Sequence, residues 1–115
     1  MSAVEARLAE LGRTVPEVAK PVAAYVPAVR TGNYVYTSGQ LPMVSGSLAA
    51  TGKVGAEVDA DAAKELAATC ALNAIAAVKS IVGDLDKVVR VVRLGGRDLA
   101  VIGVARILAW QAAFH

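Results

Sequence analysis

The chain has 115 residues, with 12 basic and 10 acidic side chains and a net charge of +2. That length suits one domain, and scattered basic residues near charge balance leave no electrostatic footprint for nucleic acid. Aromatic residues are 4%, too few for a platform that stacks single-stranded bases, while 56% apolar residues exclude a disordered chain.

Cys70 is the single cysteine, so an intrachain disulfide is excluded. No apolar run reaches the ~20 residues that cross a bilayer. The longest, from Leu99 to Phe114, is interrupted by Arg106 and Gln111. Met1 to Arg7 reads as a charged helical start and not as a signal peptide. These features lead to the expectation of a cytoplasmic protein.

Ser2 with Glu5 three residues on is a capping-box pattern, followed by Val4, Leu8 and Leu11 at helical spacing and by Gly12 as a stop. Pro16, Pro21 and Pro27 then predict extended coil over 13–27. Ala28 to Arg30 and Tyr34 to Thr37 read as two strands of a hairpin around Thr31-Gly32-Asn33. Ser45-Gly46 reads as a further turn, 47–51 as a short strand and Gly52 to Gly55 as a loop.

Asp59 is placed to cap a long helix from Ala60 to Val82, closed by Gly83. Leu66, Cys70, Asn73 and Ala77 mark one stripe of it, and Ala63, Ala67, Ala74, Val78 and Ile81 an adjacent one. A face of such small residues should lie flat on a sheet. Lys87 to Leu94 is β-branched and reads as a strand. Gly95-Gly96 breaks the pattern, and the tail from Leu99 to Phe114 carries weak helical character. Helix, strands, long helix and strand in this order predict an α+β sheet packed on one helix.

The chemistry-bearing candidates are few. Gly46 to Lys53 imitates a phosphate loop but has five residues between its glycines where four are required, and Val54 stands where a Ser or Thr would hold Mg²⁺. His115 is the single histidine and stands last, so neither a metal site nor a Cys-His pair is credible. Cys70 reads as a small buried hydrophobe. Asn73 on an apolar stripe needs partners, and bonding to a neighbouring strand or loop accounts for it best.

Thr37-Ser38-Gly39-Gln40 ends a strand with a hydroxyl and an approachable backbone, which suits either a ligand contact or plain turn chemistry. Tyr25 precedes it in extended chain, its ring suited to either a core or a pocket wall.

Taken together, Tyr25, Ala28-Val29-Arg30-Thr31-Gly32 and Tyr36-Thr37-Ser38-Gly39-Gln40-Leu41-Pro42 resemble the Rid (reactive intermediate deaminase) family, also called YjgF or L-PSP. Gly52-Lys53-Val54-Gly55 and Leu72-Asn73-Ala74-Ile75 add to the resemblance, which covers about residues 20–94. The opening helix through Pro21 is similar to the longer actinobacterial-type branch. The resemblance implies a chorismate mutase-like α+β fold and a homotrimer with pockets in the clefts between subunits. The implied activity is the hydrolysis of reactive enamines and imines, such as 2-aminoacrylate, to 2-keto acids and ammonia, without a cofactor. By motif match, Tyr25, Ser38, Gly39 and Gln40 would line the substrate site, with no metal; the catalytic group itself stays unassigned. Some family labels speak of endoribonucleases, a reading that the lone histidine and the scattered charge disfavour.

Departures from the family pattern cluster after Leu94. The family holds its substrate carboxylate with a late-strand arginine and uses an acidic residue on its last strand. Arg97 and Arg106 do not sit in that arginine motif, and the pattern of a second helix and closing strands is missing. The expectation is therefore a single Rid-like domain over 1–115, incomplete at the C-terminus with an atypical 95–115 tail. Its sheet edges would be unpaired and its core partly uncovered, so weak stability or aggregation is expected. Function then falls to an imine deaminase, with a non-catalytic small-molecule-binding or interaction domain, or a defective fragment, as alternatives. We attribute the loss of pattern at Arg93-Leu94 to a frameshift. Translating the coding DNA beyond codon 94 in the other two frames should restore a Rid-like second half; two frames without one would refute this origin.

Overall fold

The long helix organises the molecule. In a computed structural model, α2 spans Ala60–Val82, as its sequence pattern predicts. The Asp59 carboxylate accepts the Ala62 N–H at 2.8 Å and caps its first turn. Gly83 closes it at φ 79°, a conformation in which any Cβ is strained. The structure describes residues 2–18, 26–52, 54–98 and 103–112, with 95–98 and 103–112 described by their backbone.

The helix lies on a hairpin of β1 (Ala28–Thr31) and β2 (Tyr34–Thr37). Of the two turn residues Gly32 and Asn33, Gly32 alone takes a positive φ, +58°, the pattern of a II′ turn whose twist matches its strands. Alternation then sorts the hairpin's side chains by face. Ala28, Val35 and Thr37 are buried, while Val29, Tyr34 and Tyr36 stay exposed.

Ala28 and Val35 pack with Ala74, Ala77, Val78, Val82 and Leu85, and Val15, Ile75 and Val88 close the rim. The alanines let helix and sheet approach closely but bring little area of their own. Burial therefore acts mainly through Val35, Val78, Val82 and Leu85, each contributing on the order of 1.5–3 kcal/mol.

Two expectations about the end of the chain are corrected. β5 spans Val88–Asp98, so the strand does not stop at Gly95-Gly96. Gly95 pairs with Arg106 and Gly96 with Ala105, and register shifts between Val88 and Gly95 absorb the irregularity. Glycine is a weak strand former but does not forbid pairing when a partner strand supplies it. That partner is β6, Gly103–Ala112, in the tail whose pattern suggested a weak helix.

β6 inserts between β2 and β5, giving the order β1-β2-β6-β5 with all three pairings antiparallel. A strand there satisfies the backbone groups of two neighbours at once, which a helix without a polar face could not do. The inner edges of β2 and β5 are thus paired, and the half-sheet expected from the sequence is filled by the tail itself.

α1, Ala3–Glu10, follows the capping box: the Ser2 hydroxyl accepts the Glu5 N–H at 3.1 Å. It docks beside a 3₁₀ turn at Leu85–Lys87 that leads from α2 into β5. The Lys79 ammonium donates to Glu5 at 3.1 Å, and Arg13 forks onto the Glu65 carboxylate at 3.0 and 3.2 Å. The Ser2 hydroxyl first, and Lys79 next, hold the Glu5 carboxyl below its ordinary value; the Arg13 guanidinium does the same for Glu65.

Both carboxylates titrate lower in the folded than in the unfolded chain. Their contribution is therefore complete above the ordinary carboxylate value of 4.5 and is lost as pH falls through the folded values. Urea midpoints should drop as pH falls from about 5.5 to about 3, and the double variant E5Q/E65Q should flatten part of that drop. An unchanged pH slope in the double variant would show that other groups carry it.

Candidate functional site

The end of β2 turns into a corner whose backbone is fixed from three sides. The Ser38 N–H donates to the Pro27 carbonyl at 2.9 Å, and the Ser38 hydroxyl donates to the same oxygen at 3.2 Å. Ser38 is thus locked to the residue that leads into β1. Its Oγ keeps its lone pairs as acceptors, and the side chain is half-buried. Gly39 beside it is exposed, leaving the main chain approachable.

Gln40 braces the corner from within. It is buried, and its carboxamide donates back to the Ser38 carbonyl at 3.2 Å. That bond ties the corner to itself.

Asn73 supplies the third side. It is 2% exposed on α2, and its Nδ2 donates to the carbonyls of Leu41 at 3.0 Å and Met43 at 3.1 Å. Between these two, Pro42 is fully buried, and the Met43 N–H closes onto the Leu41 carbonyl at 2.8 Å. The bonding of Asn73 to a neighbouring loop is as its place on an apolar stripe predicts. Cys70, one turn earlier, is fully buried, also as expected. A short hairpin of β3 (Met43–Val44) and β4 (Ser47–Leu48) continues from the clamp. Ser45 at φ 50° and Gly46 at φ 85° make its turn, the I′ arrangement.

The loop that resembled the family at Gly52 to Gly55 folds tightly. The Gly55 N–H donates to the Val58 carbonyl at 2.7 Å, and Val54 bridges to Val58. Gly52 sits at φ 138°, where an added Cβ would stand 2.7 Å from the Glu57 Cβ, so glycine is required there.

Of the sequence-predicted site residues, Ser38, Gly39 and Gln40 come together at this corner. Tyr25, Lys53 and His115 lie outside the described residues. Pro27 is the contributor that motif reasoning missed. Pro27 acts through its carbonyl, which no side-chain pattern announces. Among the described residues no cluster of His, Cys, Asp and Glu suited to a metal ion occurs. Among the described residues, the hydrogen bonds that brace the corner join neutral groups: the Ser38 hydroxyl and the amides of Gln40 and Asn73 donate to the backbone carbonyls of Pro27, Ser38, Leu41 and Met43.

Asn73→Ala leaves two buried carbonyls without their donor. The expected loss is about 1–3 kcal/mol of unfolding free energy, read from urea denaturation. Asn73→Asp should lose at least as much, since it replaces the donor with an acceptor.

Comparison with known proteins places these features. A family model described as YjgF/chorismate mutase-like, putative endoribonuclease, matches residues 5–106, running past Leu94 where the sequence pattern was expected to fail. Protein TCP17 of Trypanosoma cruzi is 37% identical over 91 residues, covering 79% of this chain and 57% of TCP17. The chain therefore spans just over half the length of that relative.

The structure of Atu1372 from Agrobacterium tumefaciens, a protein of unknown function, superimposes with a TM-score of 0.79 at 31% identity. That match covers 96% of this chain and 92% of the other. A putative endoribonuclease from Shewanella oneidensis superimposes with a TM-score of 0.75 at 35% identity, over 80% of this chain and 61% of that one. With the α2-on-hairpin packing and the Ser38 corner, these matches make the chain a member of the YjgF/chorismate mutase-like family.

Proposed function

We propose that the Ser38–Gly39 corner binds a small 2-imino or 2-keto acid and that the chain acts as a Rid-type enamine and imine deaminase. The single observation that carries this reading is the corner's construction: a half-buried hydroxyl with free lone pairs stands beside exposed glycine backbone.

The chemistry asks for little more. Water adds to the C=N carbon of the imine, and the resulting carbinolamine expels ammonia to leave the 2-keto acid. A protonated imine is already electrophilic, so holding water and substrate in place supplies most of the required catalysis. The Ser38 Oγ donates to Pro27, and so it would accept from the iminium N–H or from the attacking water. Gly39 would admit the substrate to the main chain, while Gln40 braces the corner. No cofactor enters the scheme.

The substrate carboxylate needs a cation. β6 runs antiparallel to β2 with Ala109 opposite Tyr36. Arg106 lies on the same strand, opposite Gly95 of β5. We propose Arg106 as the carboxylate partner, since a guanidinium matches a carboxylate in bidentate geometry. We also take the exposed sheet face bearing Val29, Tyr34 and Tyr36 as the surface that a homotrimer would cover, in the cytoplasm.

A second reading is a non-catalytic binding module. It is favoured by the neutral groups that brace the corner among the described residues. An endoribonuclease role fits less well, because the chain's single histidine stands at position 115 and its net charge is only +2.

The test is keto-acid release from an imino acid generated in place by an amino-acid oxidase. The wild-type chain should accelerate release, and Ser38→Ala and Arg106→Ala should each lower kcat/KM by about 10- to 100-fold. No acceleration, together with binding of small 2-keto acids in equilibrium dialysis, would replace the deaminase with the binding module. No acceleration and no binding would overturn both readings.

A further inference from the structure

We propose that the N-terminal arm, from Ser2 to Arg13, is an electrostatically latched strap that opens as a unit while the sheet and α2 stay folded. α1 contributes no buried residue, and Val4 and Leu11 remain 37% and 58% exposed. Leu8 is half-buried, and the rest of the helix's hold on the domain is polar.

The Asp86 carboxylate, 83 and 82 positions away in sequence, accepts the Ala3 N–H at 2.9 Å and the Val4 N–H at 3.2 Å. These are first-turn donors without helical partners of their own, and they carry the positive end of the helix dipole. Lys79 on α2 reaches Glu5. Arg13 and Glu65 fasten the other end. Residues beyond Arg13 behave differently, because Val15 packs on the hydrophobic core. The boundary between strap and domain therefore falls between Arg13 and Val15.

An isolated helix of eight residues is unstable in water. Undocking and fraying of α1 are thus one event, and its free energy is that of a few solvent-accessible charged contacts. Such contacts weaken with salt, whereas the packed face of α2 does not.

Amide hydrogen exchange measured by NMR on the full chain tests this. In the wild type, raising NaCl from 50 to 500 mM should speed exchange at Ala6, Leu11 and Arg13 and leave the amides from Ala74 to Val82 unchanged. Asp86→Ala should speed the same α1 amides by about 2- to 30-fold, the range that loss of a helix cap produces. Exchange of α1 in step with α2 under both perturbations would overturn the strap, because α1 would then open only with the whole domain. α1 amides insensitive to both salt and Asp86→Ala would overturn it too. None of these readouts depends on deaminase activity.

Discussion

The close contact of the alanine face of α2 with the β1–β2 hairpin is the constraint from which the rest follows. Ala74 and Ala77 let the helix settle over Val35 and Ala28. The same proximity brings Asn73 within hydrogen-bonding distance of the chain leaving β2. A larger residue at Ala74 or Ala77 would lift the helix and separate the Asn73 amide from its two carbonyls. Packing and polar positioning are therefore a single arrangement: the helix that closes the core also fixes the corner.

That arrangement distributes tasks along α2. Its middle clamps the Leu41–Met43 turn, and its last turn offers Lys79 to α1. The corner is rigid because its bonds come from separate parts of the chain: Pro27 before β1, Gln40 within the corner and Asn73 in the helix. The α1 helix is held by polar groups at the surface, with Leu8 half-buried. A corner fixed from three sides beside a loosely held terminal helix is the expected division of stability, since the parts that open most readily come from the least buried regions.

Much of this was legible in the residues. Asp59, the uninterrupted alanine-rich run and Gly83 specify α2 through local effects: a cap, high propensity and a terminator. Ser2 and Glu5 specify α1 in the same way. The hairpin declared itself by two short strand-forming runs around the Gly32-Asn33 turn. At the corner, Ser38 and Gly39 were visible as residue types at a strand end. The bracing role of Gln40 was not, because a carboxamide offers the same donors to a ligand and to its own backbone. Geometry alone chooses between them, and here it chose the Ser38 carbonyl.

The tail marks the other limit. From Leu99 onward the sequence is apolar without a clear period, and a short apolar run reads equally well as strand or helix. Its state depends on what lies beside it. The open backbone edges of β2 and β5 make a strand the favourable choice, since β6 satisfies both. The sequence by itself determined the α+β class, the extent of both helices, the hairpin and the family of the Ser-Gly-Gln corner, because each rests on interactions within a few residues. Only the tertiary structure decided the strand order β1-β2-β6-β5, the three-sided fixation of Ser38 and the docking of α1 on Asp86. Those depend on partners tens of residues apart, whose meeting is set by packing over the whole chain.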